Sequence, residues 1–351
     1  MNPLYCLVLF FGCVAFSYGL LRLLLLKPYG LLAVDVPNVR SLHNSPVPRG
    51  GGLVIVLILL VACIGMQTVI PESVVPPLWI AFLVTVTGII GWLDDLKDLS
   101  VRVRIVLQLA CVIILLTIFD LPHSFYFGGI KYSLNVDSAL LNAIVYLSLI
   151  VWMVWMINLF NFMDGVDGLA MVQSLVAALT LVLWFSSKES TLLVVLNLCL
   201  AGGILGFGFL NWPPAKIFLG DVGSLVLGCY FALMAVIGWI HYEISIDVFI
   251  LLYGLFFFDA TTTLIRRMIS KQLWWEAHTS HFYQRVYRLG YNHQQISIMA
   301  TMICLVLATL SSAAFFSNRY AFIWTLAGIV VLVCCGTAIK MKEKQGAASR
   351  I

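Results

Sequence analysis

The chain has 351 residues, of which 62% are hydrophobic and 10% are charged, and its formal net charge is +4 at pH 7. A typical soluble domain is about 25% charged, so this composition excludes a soluble globular enzyme, a disordered protein and a disulfide-rich scaffold. The apolar runs are long and continuous, which is typical of membrane-spanning helices and not of barrel strands. We therefore predict an all-α polytopic membrane protein.

Eleven segments are long and apolar enough to span a bilayer, for which about 20 residues are needed. They are residues 3–26, 52–70, 76–93, 103–120, 138–157, 168–186, 190–210, 222–240, 246–265, 295–316 and 320–339. The first is predicted to be a retained helix rather than a signal peptide, because it lacks a basic n-region and a small-residue cleavage site. No repeat or linker divides the chain, so we expect residues 1–351 to form a single membrane domain.

The nine cysteines all lie in apolar stretches, and none belongs to a CxxC pair. Zinc sites and disulfide frameworks show characteristic cysteine spacings. We therefore expect these thiols to pack between helices as small hydrophobic side chains.

Basic residues favour one side of the predicted bundle. If the N-terminus lies outside, the inside-facing segments and their short flanks hold sixteen of the twenty lysines and arginines; these segments are 27–51, 94–102, 158–167, 211–221, 266–294 and 340–351. Lysine and arginine concentrate in cytoplasmic loops. We therefore expect a periplasmic N-terminus and a cytoplasmic C-terminus.

The inside-facing segments also carry five polar blocks, at residues 35–52, 91–104, 158–168, 211–224 and 266–285. Six acids fall at predicted inner helix ends: Asp94, Asp95, Asp98, Asp164, Asp167 and Asp221. An acid at the centre of a spanning helix costs about 2.5–3.5 kcal/mol, so these side chains are expected at helix ends or in a hydrated cavity. Carboxylate and amide oxygens suit Mg²⁺, which commonly binds one or two carboxylates together with substrate phosphates. Asn161 with Asp221 is therefore a reasonable ligand pair.

Each block by itself also has a structural explanation. An adjacent Asp pair can be a solvated cap, the Asp-Gly sequence can form a turn, and residues 50–52 can allow close helix packing because all three are glycine. The aromatic residues between 274 and 291 are typical of an interfacial belt. The occurrence of all five blocks on one predicted face favours a functional interpretation.

Asp259 is the one acid that the pattern places well inside a span. It shares a helical face with Thr263 and Arg266, at spacings of four and seven residues. This arrangement fits an internal ion pair as well as a catalytic role.

Three phrases occur in the order GWLDDLKDLSVRVR, NLFNFMDGVDGLA and NWPPAKIFLGDVGS. They resemble the motifs of the polyprenyl-phosphate N-acetylhexosamine-1-phosphate transferase family (glycosyltransferase family 4), which includes undecaprenyl-phosphate GlcNAc-1-phosphate transferases and phospho-MurNAc-pentapeptide translocases. The resemblance extends from about residue 35 to residue 285, and HTSHFYQR most resembles the branch that starts lipopolysaccharide O-antigen synthesis. It implies transfer of a sugar-1-phosphate from a UDP-N-acetylhexosamine to undecaprenyl phosphate in a bacterial inner membrane, with release of UMP.

The resemblance also implies roles for individual residues. Asp94 and Asp95 match the family's Asp-Asp motif and are the candidate catalytic residues, and Asn161 and Asp221 match positions associated with Mg²⁺, for which Mn²⁺ is a substitute. The candidate substrate-binding residues are Asn158, Asp164, Asp167, Asn211, Lys216, Arg267, His278 and His281. Members of the family often place their loop histidines consecutively, whereas two residues separate the histidines here. Which of the two contacts the diphosphate is therefore left open.

The implied chemistry needs mainly positioning and charge neutralisation, because one phosphoanhydride is exchanged for another. A phosphate monoester has its second pKa near about 6 and is mostly dianionic at pH 7. We therefore expect the Asp pair to orient the lipid phosphate, with a phospho-enzyme as the alternative. A transporter of an anionic substrate and a phospho-MurNAc-pentapeptide-translocase-like enzyme are the alternative functions. A nucleic acid partner is not expected, and a homo-oligomer is left open.

Overall fold

The structure is a computed structural model that describes residues 2–26, 32–37, 46–71, 73–273, 278–317 and 320–348. Its helices are α1 Pro3–Leu26, α2 Gly52–Val69, α3 Pro77–Lys97, α4 Val101–Leu116, α5 Ala139–Phe162, α6 Leu169–Ser187, α7 Thr191–Asn211, α8 Gly220–His241, α9 Ile246–Leu252, α10 Gly254–Ile269, α11 Phe282–Arg288, α12 His293–Phe316 and α13 Ala321–Ala348. Its strands are β1 Ala33–Asp35, β2 Val47–Arg49, β3 Ser124–Phe127 and β4 Ile130–Ser133, which form two antiparallel pairs.

Nine helices within the described ranges are long and apolar enough to cross a membrane, or ten if α9 and α10 count as one broken span. Each of the eleven predicted segments coincides with a helix, so the all-α polytopic class is confirmed and the count of eleven is approximate. The difference has two causes. Helix α4 has only 16 residues, and the segment predicted at 246–265 is broken by a bend of 87° between α9 and α10.

Helix α8 lies at the centre of the bundle, and nearly all of its residues are buried. It packs against α2, α3 and α5. Two glycines bring its neighbours unusually close: a Cβ on Gly52 would lie 2.2 Å from Gly223 Cα, and a Cβ on Gly91 would lie 2.4 Å from the Asp221 carbonyl oxygen. The close-packing explanation for the glycine run is therefore confirmed at Gly52, and this packing brings α2 and α3 to the N-terminus of α8.

The β3–β4 hairpin marks the end of the bundle remote from the polar blocks, because it directly precedes the N-terminus of α5 whereas the block at 158–168 begins in the last turns of that helix. Buried Asp247 at the start of α9 accepts hydrogen bonds from the Gly128 backbone N–H (3.1 Å) and the Thr325 hydroxyl (2.9 Å). These contacts hold the hairpin against α9 and α13.

Candidate active site

A polar pocket of about 250 Å³ lies where the last turn of α3, the segment after α5 and the N-terminus of α8 meet. Five of the predicted site residues line it: Asp95, Asp164, Asp167, Asn211 and Asp221. These residues come from three of the five polar blocks. The predicted convergence of distant acids at one end of the bundle is therefore present in the structure.

The Asp95 carboxylate caps α8 from a different helix. Its two oxygens accept hydrogen bonds from the backbone N–H groups of Asp221 (3.0 Å) and Val222 (3.1 Å). These are two of the first N–H groups of α8, which have no partner within the helix, and the N-cap residue Leu219 has no side-chain acceptor to offer. Asp95 therefore performs the capping role of a local Asp or Asn and fixes the backbone of Asp221.

Asp94 faces a different partner. It is buried, its Oδ1 accepts from the Leu99 backbone N–H (2.8 Å), and its Oδ2 lies 2.7 Å from Arg104 Nη1. The same Arg104 nitrogen lies 3.8 Å from Asp221 Oδ2. The guanidinium group therefore stands between two carboxylates and partly neutralises both.

Asp221 and Asn161 are neighbours, as the sequence predicted. The Asn161 amide nitrogen donates to Asp221 Oδ1 at 2.7 Å and to the Ser224 hydroxyl at 3.1 Å. Among the residues that the structure describes, no three His, Cys, Asp or Glu side chains are arranged to hold a metal ion by themselves. A cation at this point would therefore need amide or substrate oxygens in addition to carboxylates.

Asp164 lies in the segment between α5 and α6 and contributes a third carboxylate to the pocket. Burial raises its pKa well above the ordinary value, and the negative charges of Asp221, Asp95 and Asp167 raise it further, while Arg49 opposes the shift. Burial is the larger cause, and the neighbouring carboxylates add to it because like charges disfavour the ionised form. A divalent cation would relieve this repulsion.

Asp167 and Asn211 connect the segments that form the pocket wall. Asp167 Oδ2 accepts from the Ala215 backbone N–H (3.0 Å), and Asp167 Oδ1 lies 3.1 Å from His293 Nδ1. The buried Asn211 side chain accepts from the Gly168 N–H and donates to the Ile217 carbonyl oxygen, both at 3.0 Å. Both residues therefore shape the pocket, whatever they contact in a substrate.

Five predicted binding residues do not line the pocket: Asn158, Lys216, Arg267 and the two loop histidines, His278 and His281. Asn158 donates to Gln108 Oε1 (2.7 Å) on α4. Lys216 is exposed. Arg267, in the last turn of α10, donates to Gln272 Oε1 (3.1 Å) and to the Leu273 carbonyl oxygen (2.6 Å). These contacts hold its side chain against the segment that follows α10.

The two loop histidines lie side by side, with ring centroids 4.9 Å apart. His281 is buried, and its Nδ1 lies 3.1 Å from Asp259 Oδ1. Its ring stacks on Tyr283 at 5.8 Å and lies 6.2 Å from Phe162, the last residue of α5. His281 is therefore fixed beside the segment that carries Asp164, although it does not line the open pocket.

His278 is less constrained. Its Nδ1 lies 3.1 Å from the Ser280 hydroxyl oxygen. Burial, and then the nearby His281, Arg267 and Arg266, lower the pKa of His278 to about 4. The ring is therefore predominantly neutral at pH 7 in the structure as it stands, without a bound substrate.

Four polar or charged side chains that line the pocket were not among the predicted site residues: Asp35, Arg49, Gln284 and His293. Arg49 Nη2 lies 2.7 Å from Asp35 Oδ1, and its Nη1 lies 3.7 Å from Asp95. Burial would lower the pKa of Arg49, but the hydrogen bond and charge of Asp35 outweigh it and raise the pKa. Arg49 therefore brings a permanent positive charge to an otherwise acidic pocket. Its place in the first polar block was the signal that could have identified it.

An apolar cavity of about 270 Å³ lies among α10, α11, α12 and α13. It is lined by side chains such as Leu255, Phe258, Val286 and Ile303, with Lys342 among the few polar lining groups. Helix α11 contributes both to this cavity and to the polar pocket. Cavities of this composition suit a hydrocarbon group.

Comparisons with known proteins agree with these features. Residues 77–239 match the family model described as glycosyl transferase family 4. The probable undecaprenyl-phosphate N-acetylglucosaminyl 1-phosphate transferase of Bacillus subtilis (strain 168) is 30% identical over 91% of this chain and 88% of its own length. The undecaprenyl-phosphate alpha-N-acetylglucosaminyl 1-phosphate transferase of Thermotoga maritima is 28% identical over 86% of both chains. The phospho-N-acetylmuramoyl-pentapeptide-transferase of Latilactobacillus sakei is 28% identical over 72% of this chain and 76% of its own.

Proposed function

Since the chain belongs to the polyprenyl-phosphate N-acetylhexosamine-1-phosphate transferase family, a family of membrane phosphotransferases, we propose that it transfers a sugar-1-phosphate from a UDP-N-acetylhexosamine to undecaprenyl phosphate. The observation that carries this proposal is the pocket itself. It unites Asp95, Asp164 and Asp221 with Arg49, so it offers ligands for a cation and positive charge for phosphates. A phosphoryl transfer between two anionic substrates needs both.

The substrates follow from the relatives and from the chemistry of the pocket. The Bacillus and Thermotoga relatives are named for undecaprenyl phosphate and an N-acetylglucosaminyl 1-phosphate. The apolar cavity beside α11 supports a lipid acceptor. We extend the proposal to the first step of an envelope glycan, lipopolysaccharide O-antigen being the candidate that the HTSHFYQR segment favours. The pentapeptide-transferase relative makes UDP-MurNAc-pentapeptide the competing donor.

A magnesium ion fits the residues present. Asp221 and Asn161, which are in direct contact, together with Asp164 would hold it, because Mg²⁺ prefers hard oxygen ligands and keeps positions for substrate phosphates. The clustering of Asp164 with the carboxylates of Asp95, Asp167 and Asp221 in one pocket supports this assignment, since a cation would relieve their mutual repulsion. When bound, the ion supplies Lewis-acid stabilisation of the diphosphate charge. Mn²⁺ is expected to substitute.

The chain's own residues then position the two substrates. In the proposed step, a lipid phosphate oxygen attacks the sugar-bearing phosphorus of the donor. A new phosphoanhydride bond forms, and the bond to the bridging oxygen breaks, so that UMP leaves with that oxygen. Arg49 and Arg104 would offset the charge on the phosphates, and Asp95 would keep Asp221 in place through its contacts with α8. Asp94, which holds Arg104 at 2.7 Å, would orient the lipid phosphate through that guanidinium group.

The same proposal includes a location. We propose a bacterial inner membrane with a periplasmic N-terminus and the polar pocket at the cytoplasmic face, where UDP-sugars are available. The distribution of lysine and arginine supports this orientation.

The direct test is release of UMP by the purified protein supplied with undecaprenyl phosphate, Mg²⁺ and a panel of UDP-sugars. We expect release with a UDP-N-acetylhexosamine, its loss in EDTA, and its recovery when Mg²⁺ is added. Asp221→Asn and Asp94→Asn should abolish turnover in protein that still inserts, whereas Asp98→Asn, at an exposed carboxylate of the same helix end, should not. Turnover of UDP-MurNAc-pentapeptide alone would identify the competing donor. Uptake of the substrate into vesicles without release of UMP would show that the protein is a transporter and not a transferase.

A further inference from the structure

Asp259 in α10 is a buried acid whose carboxylate accepts three hydrogen bonds and lies against a ring nitrogen of His281. The side chain is 3% exposed. Its Oδ1 accepts from the Thr263 hydroxyl (3.3 Å) and the Phe282 backbone N–H (2.9 Å), and lies 3.1 Å from His281 Nδ1. Its Oδ2 accepts from the Tyr283 backbone N–H (3.1 Å). Both carboxylate oxygens of this acid therefore have partners at the start of α11.

We propose that Asp259 is a positioning residue that acts through His281. This inference rests on the proposed function, because it assigns Asp259 a part in placing a histidine toward the phosphate-bearing substrates. Helix α10 follows a bend of 87°, and its Asp259 contacts the segment that carries the histidine. Burying a carboxylate is costly unless it is hydrogen-bonded, so a buried acid that holds an imidazole indicates a requirement for that ring's orientation.

The contacts around the ring determine what the pair does. With Nδ1 engaged by Asp259, Nε2 is the ring nitrogen that remains for a substrate oxygen. A carboxylate partner selects the ring tautomer as well as the orientation. Stacking on Tyr283 and contact with Phe162 restrict rotation of the ring. The Tyr283 hydroxyl donates to the Phe162 carbonyl oxygen at 3.0 Å, which ties the histidine to the end of α5, one residue from Asn161.

The same segment reaches the polar pocket. The His281 backbone N–H donates to Gln284 Oε1 at 3.1 Å, and Gln284 lines the pocket. Arg266 donates to the Ser280 carbonyl oxygen at 2.6 Å and holds the segment from the other side. A displaced His281 would therefore also disturb the pocket wall, which is why the test must separate ring positioning from a general loss of structure.

A double-mutant cycle in the UMP-release assay makes this separation, with Asp259→Asn, His281→Gln, the double variant, and Thr263→Val as the control. We expect Asp259→Asn to lower kcat/KM about 10- to 100-fold, as removal of a supporting hydrogen-bond partner does elsewhere. If Asp259 acts through His281, the double variant should lie within about twofold of His281→Gln alone, which is the usual scatter of such cycles. Thr263→Val removes another hydrogen bond to the same carboxylate and should cost little activity.

A spectroscopic readout tests the pair without turnover. The chain has six histidines, so ¹⁵N-histidine labelling gives few ring signals, and the one missing in His281→Gln belongs to His281. We expect that ring to carry its proton on Nδ1 in the wild type and in Thr263→Val, and to change state in Asp259→Asn. The wild-type spectrum alone decides which ring nitrogen carries the proton, so the test stands even where Asp259→Asn cannot be purified in folded form.

Two results would overturn the inference. One is a loss of kcat/KM in the double variant equal to the product of the two single losses, and the other is a wild-type His281 ring that carries its proton on Nε2 alone. Failure of the proposed function looks different. In that case the wild type releases no UMP from any UDP-sugar, while the ring spectrum still reports whether Asp259 holds His281.

Discussion

The Asp95 carboxylate caps α8 from α3, and Asp95→Asn tests how much the protein depends on that cap. In the structure two carboxylate oxygens meet two backbone N–H groups. An asparagine has the same shape but only one oxygen, so its amide group must face one of the N–H donors. One hydrogen bond is then lost, and the amide NH₂ group faces a backbone N–H group, so that two donors oppose each other. The negative charge that complements the N-terminus of the helix dipole disappears as well.

The expected loss follows from these contacts. Removing an N-cap acceptor costs about 0.5–2 kcal/mol, and the charge at a helix N-terminus contributes about 0.3–1 kcal/mol more. We therefore expect Asp95→Asn to lower the free energy of unfolding by about 1–3 kcal/mol, the sum of these two ranges. Turnover should fall too, because the Asp221 backbone is one of the capped groups.

The assay is reversible unfolding in mixed micelles, followed by helical circular dichroism and paired with UMP release. Asp98→Asn is the matched control, because Asp98 is an exposed carboxylate three residues away with φ of 47°, a conformation that asparagine tolerates. It should change stability by less than about 0.5 kcal/mol. If Asp95→Asn unfolds like the control but is inactive, Asp95 acts on the substrates alone and the capping argument is refuted.

Two further predictions follow from the structure. Because the pKa of His278 is lowered to about 4 in the folded protein, below the ordinary histidine value of about 6.5, protonation favours the unfolded chain, and stability should decrease as the pH falls from about 6.5 toward 4. His278→Gln should reduce this loss of stability at low pH and leave the pH dependence of UMP release between pH 7 and 8 unchanged. A changed pH dependence of UMP release in that range would show that the ring titrates during turnover. Gly52→Ala should prevent stable folding, since its Cβ would lie 2.2 Å from Gly223 Cα. Gly65→Ala, with no atom within 4 Å of its Cβ, should unfold like the wild type in the same assay, and equal yields of the two variants would contradict the close packing.

The spans and the site were predictable to different extents. The all-α class followed from the length of the apolar runs, and all eleven predicted segments coincide with helices. The two short strand pairs, helix α11 and the bend between α9 and α10 were not predicted. The bend escaped prediction because the apolar run continues across Tyr253 without a proline or a polar break.

At the site, the sequence identified most of the acids that meet but not what each one contacts. Asp95 was predicted as a catalytic residue, and it holds the N-terminus of α8. Asn158 was predicted in the substrate region, and it faces Gln108 on α4. Asp259 was predicted to form an internal ion pair or to have a catalytic role, and the structure pairs it with His281 and places Arg266 on a backbone carbonyl oxygen instead.

The sequence by itself determined where the chain crosses the membrane and which end of the bundle collects the acids, because both depend on local composition and on the high cost of unpaired charge in lipid. The tertiary structure decided which carboxylate caps a helix, which one holds a histidine, and which arginine enters the pocket. Those outcomes depend on how closely helices approach, as at Gly52 and Gly91, and on contacts between residues more than a hundred positions apart. No local pattern encodes such distances.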